Sequence, residues 1–413
     1  MTAKPNIAGC RVAYLLLWFP EPSQTFVLEE VNTLVRLGLK VTVYTLYGPR
    51  PWSRIAGMAP AAAPIVNLGL ASLGPLLAEL PRLERGQWHF LRQVVLRRWR
   101  SLETAGEALW AVLAGVHLVR RFAAAGIGHL HAPWATGPAT AAWVASRLSG
   151  IPFSFSARAY DLYPPDGALP EKLRAAAFVR TNTRANQRHL ARLFPEEAHK
   201  IVNIYNGVSL APAGARSPAP GPPFRLLSLG RLVAKKGFPD LLAACRLLAS
   251  QGVDFQLTLA GDGPEGAGLR RLIKRYQLEG RVFLPGFVPH REVSQLLAAA
   301  HLFIMPSLIT PSGDRDGIPN VILEALRHGV PVVASQVSGI PEVIRAGETG
   351  WLTPAGDPGS LAQAMLTALG DPEEGRRRAR AGEELVGREF DSRRNYARLK
   401  ACLEGAMRPE IPA

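Results

Sequence analysis

Short apolar runs alternate with amphipathic segments along most of this 413-residue chain. Short apolar runs bounded by turn residues are typical of buried strands, and segments whose apolar residues recur every three or four positions are typical of helices. Their alternation predicts parallel sheets covered by helices on both faces, which is the α/β class. Residues 211–223 hold five prolines and no apolar period, so they predict a linker between two domains.

The pattern also sets the domain boundaries. We predict a first domain over residues 1–210, the linker, a second domain over residues 224–388 and a C-terminal segment over residues 389–413. The amphipathic helix Arg393–Ala406 leaves open whether this last segment returns to the first domain. Ligands of such folds bind outside the carboxyl ends of the strands, so we expect the functional site in a cleft between the domains.

The predicted elements follow from the same periodicities. The strands are Val12–Leu17, Val41–Leu46, Gly128–His131, Pro152–Ser156, Ile201–Tyr205, Arg225–Leu229, Gln256–Ala260, Val282–Leu284, His301–Met305, Pro331–Ala334 and Trp351–Thr353. The clearest helices are Thr25–Leu37, Thr136–Leu148, Phe238–Ser250 and Leu269–Tyr276.

Positive charge is concentrated in the first domain. Residues 1–210 hold 23 Lys and Arg against 12 Asp and Glu, which is +11 of the formal net charge of +15. Eight arginines fall within residues 82–121, interleaved with three tryptophans and Phe90. This combination favours either an anionic membrane surface or a solvated basic helix pair, and both interpretations stay open. Nucleic acid is not expected as a partner, because no recognisable binding module accompanies the charge.

Cysteine usage and hydropathy indicate a cytoplasmic protein. The three cysteines are far apart and have no paired metal spacing, which fits a reducing compartment. Residues 1–11 lack the apolar core of a signal peptide. The uncharged stretch 55–78 raises the question of a membrane-spanning helix, but three prolines interrupt it and argue against one.

Residues 314–342 read as a loop, a helix and a strand, with Asp316 before the helix and Glu324 inside it. Gly317 and Pro319 indicate the helix start, since proline is tolerated in the first turn. The free amides and partial positive charge of a helix N-terminus suit a diphosphate. Eight residues of helix span about 12 Å, similar to the distance from a sugar across two phosphates to a ribose. The pattern favours a nucleotide-sugar as ligand.

Residues 229–237 form a second loop that is compatible with phosphate. Two glycines allow a tight path after a strand, and Arg231 and Lys236 offer a fork of donors and a compact charge for phosphoryl oxygens. The alternative interpretation is a solvated loop with ordinary surface cations.

Residues 261–266 match the Gly-x-Gly-x-x-Gly dinucleotide fingerprint. That fingerprint expects an acid at the end of the next strand to hold a ribose, and residues 282–286 contain none. We therefore interpret this loop, including Gly263, as a turn close to the nucleotide base rather than as part of a hydride-transfer domain.

The two carboxylates have alternative interpretations. A hydrolytic pair needs carboxyl groups that face one another across a bond, whereas Asp316 and Glu324 on one helix would point in different directions. Asp316 as a simple helix cap, with Glu324 on the surface, stays open. No compact carboxylate cluster predicts a divalent metal. In the first domain His131 ends a strand, and Arg158 follows one, where it can meet a phosphate or pair with Asp161.

These motifs resemble the retaining glycosyltransferases of family 4, especially the exopolysaccharide and colanic-acid type, over nearly the whole chain. Residues 19–27 are similar to the family's opening loop, and residues 204–208 to the end of its first domain. Asp316 to Glu324 resembles its Glu-x7-Glu motif, with aspartate in the first place. The resemblance implies the GT-B fold, in which two Rossmann-like parallel-sheet domains face each other across a cleft.

The resemblance also implies roles in the second domain. Arg231 and Lys236 neutralise the leaving diphosphate, Glu324 holds the ribose hydroxyls, and Asp316 touches the donor sugar. The backbone near the sugar or phosphates is that of Gly317, Ile318 and Asn320. Neither a bound metal nor another cofactor is implied.

In the first domain the resemblance places His131 and Arg158 near the transferred sugar, and these two residues together with Asp316 are the predicted catalytic residues. The sequence departs from the family pattern there. The family usually has histidine where Arg158 stands, many members have a second histidine at Pro133, and Asp316 is one methylene shorter than the usual glutamate. Arginine stays charged and cannot act as a neutral donor or acceptor in the same way.

We predict a retaining hexosyltransferase that uses a nucleotide-diphosphate sugar and a polysaccharide or lipid-linked acceptor. The departures keep open a catalytically impaired, nucleotide-sugar-binding partner of a polysaccharide assembly system. A sugar-nucleotide epimerase of the GT-B fold is a third alternative, although nothing matches its acid-base residues. The sequence predicts neither the donor nucleotide and sugar nor the acceptor.

Overall fold

The structure is a computed structural model that describes residues 11–51, 55, 58–69, 72–97, 101–163, 168–208 and 221–407. The chain divides into two compact units, one made of residues 1–207 with 392–413 and the other of residues 208–391. Most of the predicted linker 211–223 lies outside the described residues, as does Trp99 in the basic segment.

The first unit is built from strands and helices that alternate along the chain. Its strands are β1 (Arg11–Leu16), β2 (Val41–Thr45), β3 (Ile65–Asn67), β4 (Ile127–Ala132), β5 (Phe153–Ala157), β6 (Phe178–Thr181) and β7 (Ile201–Asn203). Its helices are α1 (Thr25–Arg36), α2 (Leu73–Glu79), α3 (Arg85–Val95), α4 (Leu102–Ala124), α5 (Gly137–Ser149), α6 (Ala159–Leu162), α7 (Leu169–Ala175) and α8 (Arg184–Leu193).

The second unit repeats the alternation. Its strands are β8 (Phe224–Leu229), β9 (Phe255–Ala260), β10 (Val282–Phe283), β11 (Leu302–Met305), β12 (Val332–Ser335) and β13 (Trp351–Thr353). Its helices are α9 (Phe238–Ser250), α10 (Gly266–Arg275), α11 (His290–Ala299), α12 (Asn320–Arg327), α13 (Pro358–Gly370) and α14 (Pro372–Glu389), and α15 (Ser392–Ala406) follows at the end of the chain.

Both sheets are parallel and share one strand order. The first runs β3-β2-β1-β4-β5-β6-β7 and the second β10-β9-β8-β11-β12-β13. The order reverses between β1 and β4 and between β8 and β11, which is the Rossmann arrangement. Strands β2, β5, β6, β11 and β12 are buried along their whole length, as expected when helices cover both faces. The α/β class and the two Rossmann-like sheets are confirmed.

Two strands of the first sheet were missed by the sequence patterns. The short edge strand β3 is only partly buried and lies inside the uncharged stretch 55–78. The buried strand β6 contains Arg180, which interrupts its apolar run. Strand β6 shows tertiary burial overriding a weak local pattern, whereas β3 has only three residues, too few for a recognisable strand pattern.

The first unit also contains a long apolar helix, α4, which is long and apolar enough to cross a membrane by length and composition. In the structure it packs closely against α5. A Cβ atom on Gly115 would lie 2.8 Å from the carbonyl oxygen of Ala141 and 2.9 Å from Cβ of Val144. This close approach, and the burial of Val112 and Phe122, place α4 in the core of the first unit.

The C-terminal helix answers a question that the sequence left open. Helix α15 belongs to the first unit and packs against α1. The Tyr396 hydroxyl accepts a hydrogen bond of 3.1 Å from the Gly207 main-chain N–H. A side chain on Gly207 would overlap Ser392. Glycine is therefore required at residue 207, where the start of α15 packs against the end of segment 1–207.

Candidate functional site

The carboxyl ends of β8 and β11 bring together two of the predicted site residues. Strand β8 leads into the loop 230–237, and β11 leads into the segment 306–319. Lys236 Nζ lies 2.8 Å from Asp316 Oδ2, and the two side chains are 12% and 13% exposed. The strand order reverses here, which is where ligands bind in open α/β sheets. The pair is therefore at the expected position and within reach of a ligand.

A second ion pair lies beside the first, between residues to which the sequence patterns assigned no role. Lys235 Nζ lies 3.1 Å from Asp314 Oδ1, and Ser307 Oγ donates a hydrogen bond of 3.0 Å to Asp316 Oδ2. The adjacent residues Lys235 and Lys236 thus form ion pairs with two carboxylates of the segment 306–319, those of Asp314 and Asp316. Two neighbouring lysines and two nearby aspartates are visible in the sequence, but only the fold joins them.

Arg231, the other predicted phosphate ligand, begins the same loop and is exposed. Within the described ranges its guanidinium forms no ion pair. The structure thus brings Lys236 and Asp316 together and leaves Arg231 facing solvent.

The helix of the carboxylate motif begins at Asn320, so the predicted helix start at Gly317 is corrected by the structure. Pro319 precedes the helix as its N-cap residue, with φ −61° and ψ 124°. Gly317 and Ile318 belong to the preceding loop, where the Gly317 carbonyl accepts a 3.3 Å hydrogen bond from Gly339 N–H. The physical reason is that a residue before proline disfavours the helical region.

This later start changes the interpretation of the two carboxylates. Asp316 does not cap α12, because its carboxylate pairs with Lys236 four residues before the first helical residue. Glu324 is half-buried in the second turn of the helix. Of the seven residues between them, 317–319 are loop and 320–323 are helical, so the rise of a continuous helix does not give their separation.

The glycines of the loop 261–266 are explained by backbone packing. Gly261 and Gly263 have φ of 147° and 155°, in the region that favours glycine. A Cβ on Gly263 would lie 2.5 Å from the Leu232 carbonyl oxygen, and one on Gly261 would overlap the Gly230 carbonyl. The fingerprint spacing thus serves the close approach of the loops after β8 and β9. Contact of Gly263 with a nucleotide base stays a prediction.

In the first unit, Arg158 lies in a buried ion network. Its Nη2 atom lies 3.8 Å from Glu30 Oε2, its Nη1 donates to Asn206 Oδ1 at 2.8 Å, and its Nε donates to the Pro133 carbonyl at 3.1 Å. Arg180 forms a closer ion pair with the same Glu30 carboxylate. The three charged side chains are at most 4% exposed. No sequence motif pointed to Glu30 or Arg180.

Asp161 holds the Arg158 backbone rather than its guanidinium. The Arg158 main-chain N–H donates to Asp161 Oδ2 at 3.0 Å, and the guanidinium lies 4.4 Å from the centre of the Phe26 ring. Burial raises the pKa of Asp161 to about 7. Burial, together with Arg180, lowers the pKa of Arg158 to about 10, so that the guanidinium stays charged at neutral pH.

His131 is buried in the same unit, at the end of β4. Its Nδ1 lies 2.8 Å from Ser154 Oγ and its Nε2 lies 3.3 Å from Ser156 Oγ. Burial, and then the charges of Arg180 and Arg158, hold the pKa of His131 well below its usual range. The imidazole is therefore neutral and held between two hydroxyls, with no exposed surface.

The fold is that of the GT-B glycosyltransferases. A glycosyltransferase from Rickettsia africae superposes with a TM-score of 0.72 at 14% identity, over 97% of this chain and all of the other. Anabaena HepE in complex with UDP and glucose superposes with a TM-score of 0.66 at 20% identity, over 95% of this chain and 98% of that one.

Sequence comparison finds a family match within the second unit. Residues 214–385 match the family described as glycosyl transferases group 1. A protein named for a colanic acid biosynthesis glycosyltransferase, WcaL of Salmonella typhimurium, is 44% identical over 36% of each chain. The amylovoran biosynthesis glycosyltransferase AmsK of Erwinia amylovora is 39% identical over 44% of this chain and 45% of its own.

These matches confirm the resemblance to glycosyltransferases of the exopolysaccharide and colanic-acid type. The matched regions span less than half of the length of each of these two relatives.

Proposed function

We propose that the protein is a retaining glycosyltransferase that moves a hexose from a nucleotide-diphosphate sugar to a polysaccharide or lipid-linked acceptor. The observation that carries the proposal is the Lys236–Asp316 ion pair at the carboxyl ends of β8 and β11, inside the region that matches glycosyl transferases group 1. A cation and a carboxylate side by side at this edge of the sheet support binding of a diphosphate and its sugar.

The proposed chemistry requires the Lys236 ammonium to exchange its partner. When the donor binds, Lys236 turns from Asp316 to the diphosphate, which Arg231 also contacts, because phosphoryl oxygens compete well for compact cations. The released Asp316 carboxylate accepts hydrogen bonds from the hydroxyls of the donor sugar. Glu324 holds the ribose hydroxyls, and the backbone of Gly317, Ile318 and Asn320 borders the sugar and phosphates.

Transfer with retention then proceeds on one face of the sugar. The bond from the anomeric carbon to the phosphate oxygen breaks, and the acceptor oxygen bonds to the same carbon on the same face. The acceptor proton passes to the departing phosphate oxygen, so no nucleophilic side chain is needed. Because the two cationic side chains neutralise the leaving group, the reaction is proposed to need no metal.

The buried contacts of Arg158 and His131 support positioning roles rather than direct contact with the sugar. Arg158 fixes the Pro133 carbonyl and Asn206, both at loops that follow strands of the first sheet. His131 orders the hydroxyls of Ser154 and Ser156. Through these contacts the two side chains would shape the loops of the first unit.

The relatives' names support a polysaccharide acceptor. WcaL is named for colanic acid and AmsK for amylovoran, and HepE has been crystallised with UDP-glucose. We propose a cytoplasmic location for the same reaction, because a nucleotide-sugar donor is available there.

A donor screen tests the proposal. UDP-, GDP- and ADP-sugars are added to the full chain, and the rise in thermal unfolding temperature identifies the donor. Nucleotide release is then measured with lipid-linked and polysaccharide acceptors, with and without a chelator, and the anomeric configuration of the product is read by NMR. Failure of all the nucleotide-sugars to raise the unfolding temperature would contradict the proposal. An inverted product or loss of activity with chelator would contradict only the retaining or the metal-independent part.

A second candidate function is a nucleotide-sugar-binding partner that does not catalyse transfer. The observation that favours it is the placement of Arg158, where the resemblance has a histidine, in an ion network buried with Glu30. Donor binding without nucleotide release, across both acceptor classes, would select this candidate.

A further inference from the structure

The first unit carries an exposed apolar surface at the corner between α3 and α4. Of the eleven large apolar side chains exposed among the described residues, four fall within a span of 22 positions: Trp88 at 39%, Leu96 at 73%, Leu102 at 93% and Leu109 at 47%. Single exposed apolar residues are ordinary, but leucines this exposed and this close in sequence need an explanation.

Helix α3 presents apolar and basic side chains together on its outer face. Trp88, Arg92 and Leu96 follow at intervals of four and Arg85 lies three residues before Trp88, so all four share one helical face. Each of them is exposed. The opposite face packs inward through Leu91 and Val94. The outer face of α3 is therefore exposed and is not covered by the described part of the first unit.

Helix α4 adds two exposed leucines to this surface. Leu102 and Leu109 are seven residues apart and so lie on one side of the helix, with Gly106 between them. The side that carries Ala108, Ala111 and Val112 is buried in the core. The exposed leucines thus lie on the outer side of α4, and the opposite side of the helix packs in the core of the first unit.

The aromatic residues of the basic segment differ in whether they pack against the core or are exposed. Phe90 packs edge-on against Trp143 with ring centres 5.1 Å apart, and Trp110 Nε1 donates to the Leu46 carbonyl at 2.8 Å. These two side chains serve the core. Trp88 is left as the exposed aromatic residue of α3, and the leucines supply the rest of the surface.

We infer that this corner, formed by Arg85, Trp88, Arg92, Leu96, Leu102 and Leu109, binds the surface of an anionic phospholipid membrane. Leucine and tryptophan side chains enter the boundary between headgroups and acyl chains, and arginines beside them pair with lipid phosphates. The charge complementarity is the observation that selects a membrane. In a symmetric pair of chains the same arginines would face one another, and leucines this exposed contribute little to nucleic-acid binding.

The inference is independent of the proposed glycosyl transfer, because the corner shares no residue with the donor-side site. Of the two interpretations that the sequence left open for the basic segment, it favours the membrane surface over a solvated helix pair.

Sedimentation of the full chain with vesicles tests the inference. Vesicles of phosphatidylcholine alone are compared with vesicles that also contain phosphatidylglycerol, at low and high salt. We expect binding to the anionic vesicles, weakened by salt, and little binding to the neutral ones. Hydrogen exchange on the same mixture should slow within residues 85–97 and 101–109.

Matched variants separate the apolar from the charged contribution. Arg85→Gln with Arg92→Gln should weaken binding to anionic vesicles by about 30-fold, as expected for two arginines at such a surface. Leu96→Ser with Leu102→Ser should also weaken it, with the salt dependence retained. The controls Arg270→Gln with Arg271→Gln, and Leu193→Ser, change exposed residues elsewhere and should bind like the parent.

Three results would overturn the inference. The first is equal binding to vesicles by parent and corner variants. The second is equal binding of the parent to neutral and anionic vesicles. The third is a dimer in analytical ultracentrifugation that the leucine variants dissociate, because a second copy would then occupy the corner. Nucleotide-sugar binding by the same preparations reports separately on the second unit and should be unchanged in every corner variant.

Discussion

Each unit of this protein contains a carboxylate paired with cationic side chains near the reversal point of its sheet, but the two clusters differ in burial. In the first unit Glu30, Arg158 and Arg180 are at most 4% exposed, and Arg158 also donates to Asn206 and the Pro133 carbonyl. In the second unit Lys236 and Asp316 retain 12% and 13% exposure, beside the exposed Arg231.

The difference teaches which ion pairs can exchange a partner for a ligand. A charge removed from water must keep its partners, because leaving it unpaired costs several kcal/mol. A pair at the edge of solvent can be opened at little cost, since water and the ligand replace the lost contact. The first cluster therefore holds the fold together, and the second is available for chemistry.

The largest expected effect is on the stability of the first unit. Glu30→Gln leaves two buried arginines without a carboxylate and should lower the free energy of unfolding by about 3–5 kcal/mol. Urea denaturation measures the change. The matched control is Glu29→Gln, which breaks the exposed pair with Arg36 and should cost less than about 1 kcal/mol. Equal losses in the two variants would remove the structural distinction between the clusters.

A smaller effect is expected for donor binding in the second unit. Lys236→Ala removes a charge-assisted contact with the diphosphate and should weaken donor affinity by about 1.5–3 kcal/mol, with the unfolding free energy within about 1 kcal/mol of the parent. Calorimetric titration with the donor identified by the screen measures it. Lys274→Ala, which removes an exposed lysine of α10, is the control. Parental affinity in Lys236→Ala would show that this lysine does not contact the phosphates.

The pH dependence of stability probes the first cluster again. Burial raises the pKa of Asp161 to about 7, above its unfolded value of about 4. Between these values the folded state binds more protons than the unfolded state, so this carboxyl makes stability fall as pH rises, and above about pH 7 its contribution is constant.

Asp161→Asn removes that titration. Relative to the parent, the variant should gain stability with rising pH between about 4 and 7, by up to about 1.4 kcal/mol per pH unit. Thermal unfolding across this range measures it. Parallel pH profiles for parent and variant would mean that Asp161 titrates like an exposed carboxyl.

The smallest effect is expected at Glu324. Glu324→Gln keeps the shape of the side chain but replaces a charged acceptor by a neutral one, so ribose binding should weaken by about 1 kcal/mol. The measurement compares affinity for the nucleotide-sugar with affinity for its 2′,3′-dideoxyribose analogue. The loss should appear only for the donor that carries the hydroxyls, and an equal loss for both would place Glu324 elsewhere on the ligand.

Much of the fold was predictable because most strands are buried, and a buried strand appears in the sequence as a short apolar run. The runs that became β11 and β12 are apolar at nearly every position, as is typical of parallel strands covered on both faces. Strand β6 was missed because Arg180 interrupts it, and the compensating Glu30 lies 150 positions away in the sequence. Periodicity is a local signal, and it cannot register a charge whose partner comes from another element.

The amino-acid sequence by itself determined the alternation of strands and helices, the second-unit motifs and the family resemblance, since each depends on neighbouring residues. Only the tertiary structure decided that Lys236 pairs with Asp316, that Arg158 is buried with Glu30, and that Leu96 and Leu102 face outward. The physical reason is that exposure and ion pairing depend on distances between elements remote in the chain, which the order of residues does not specify.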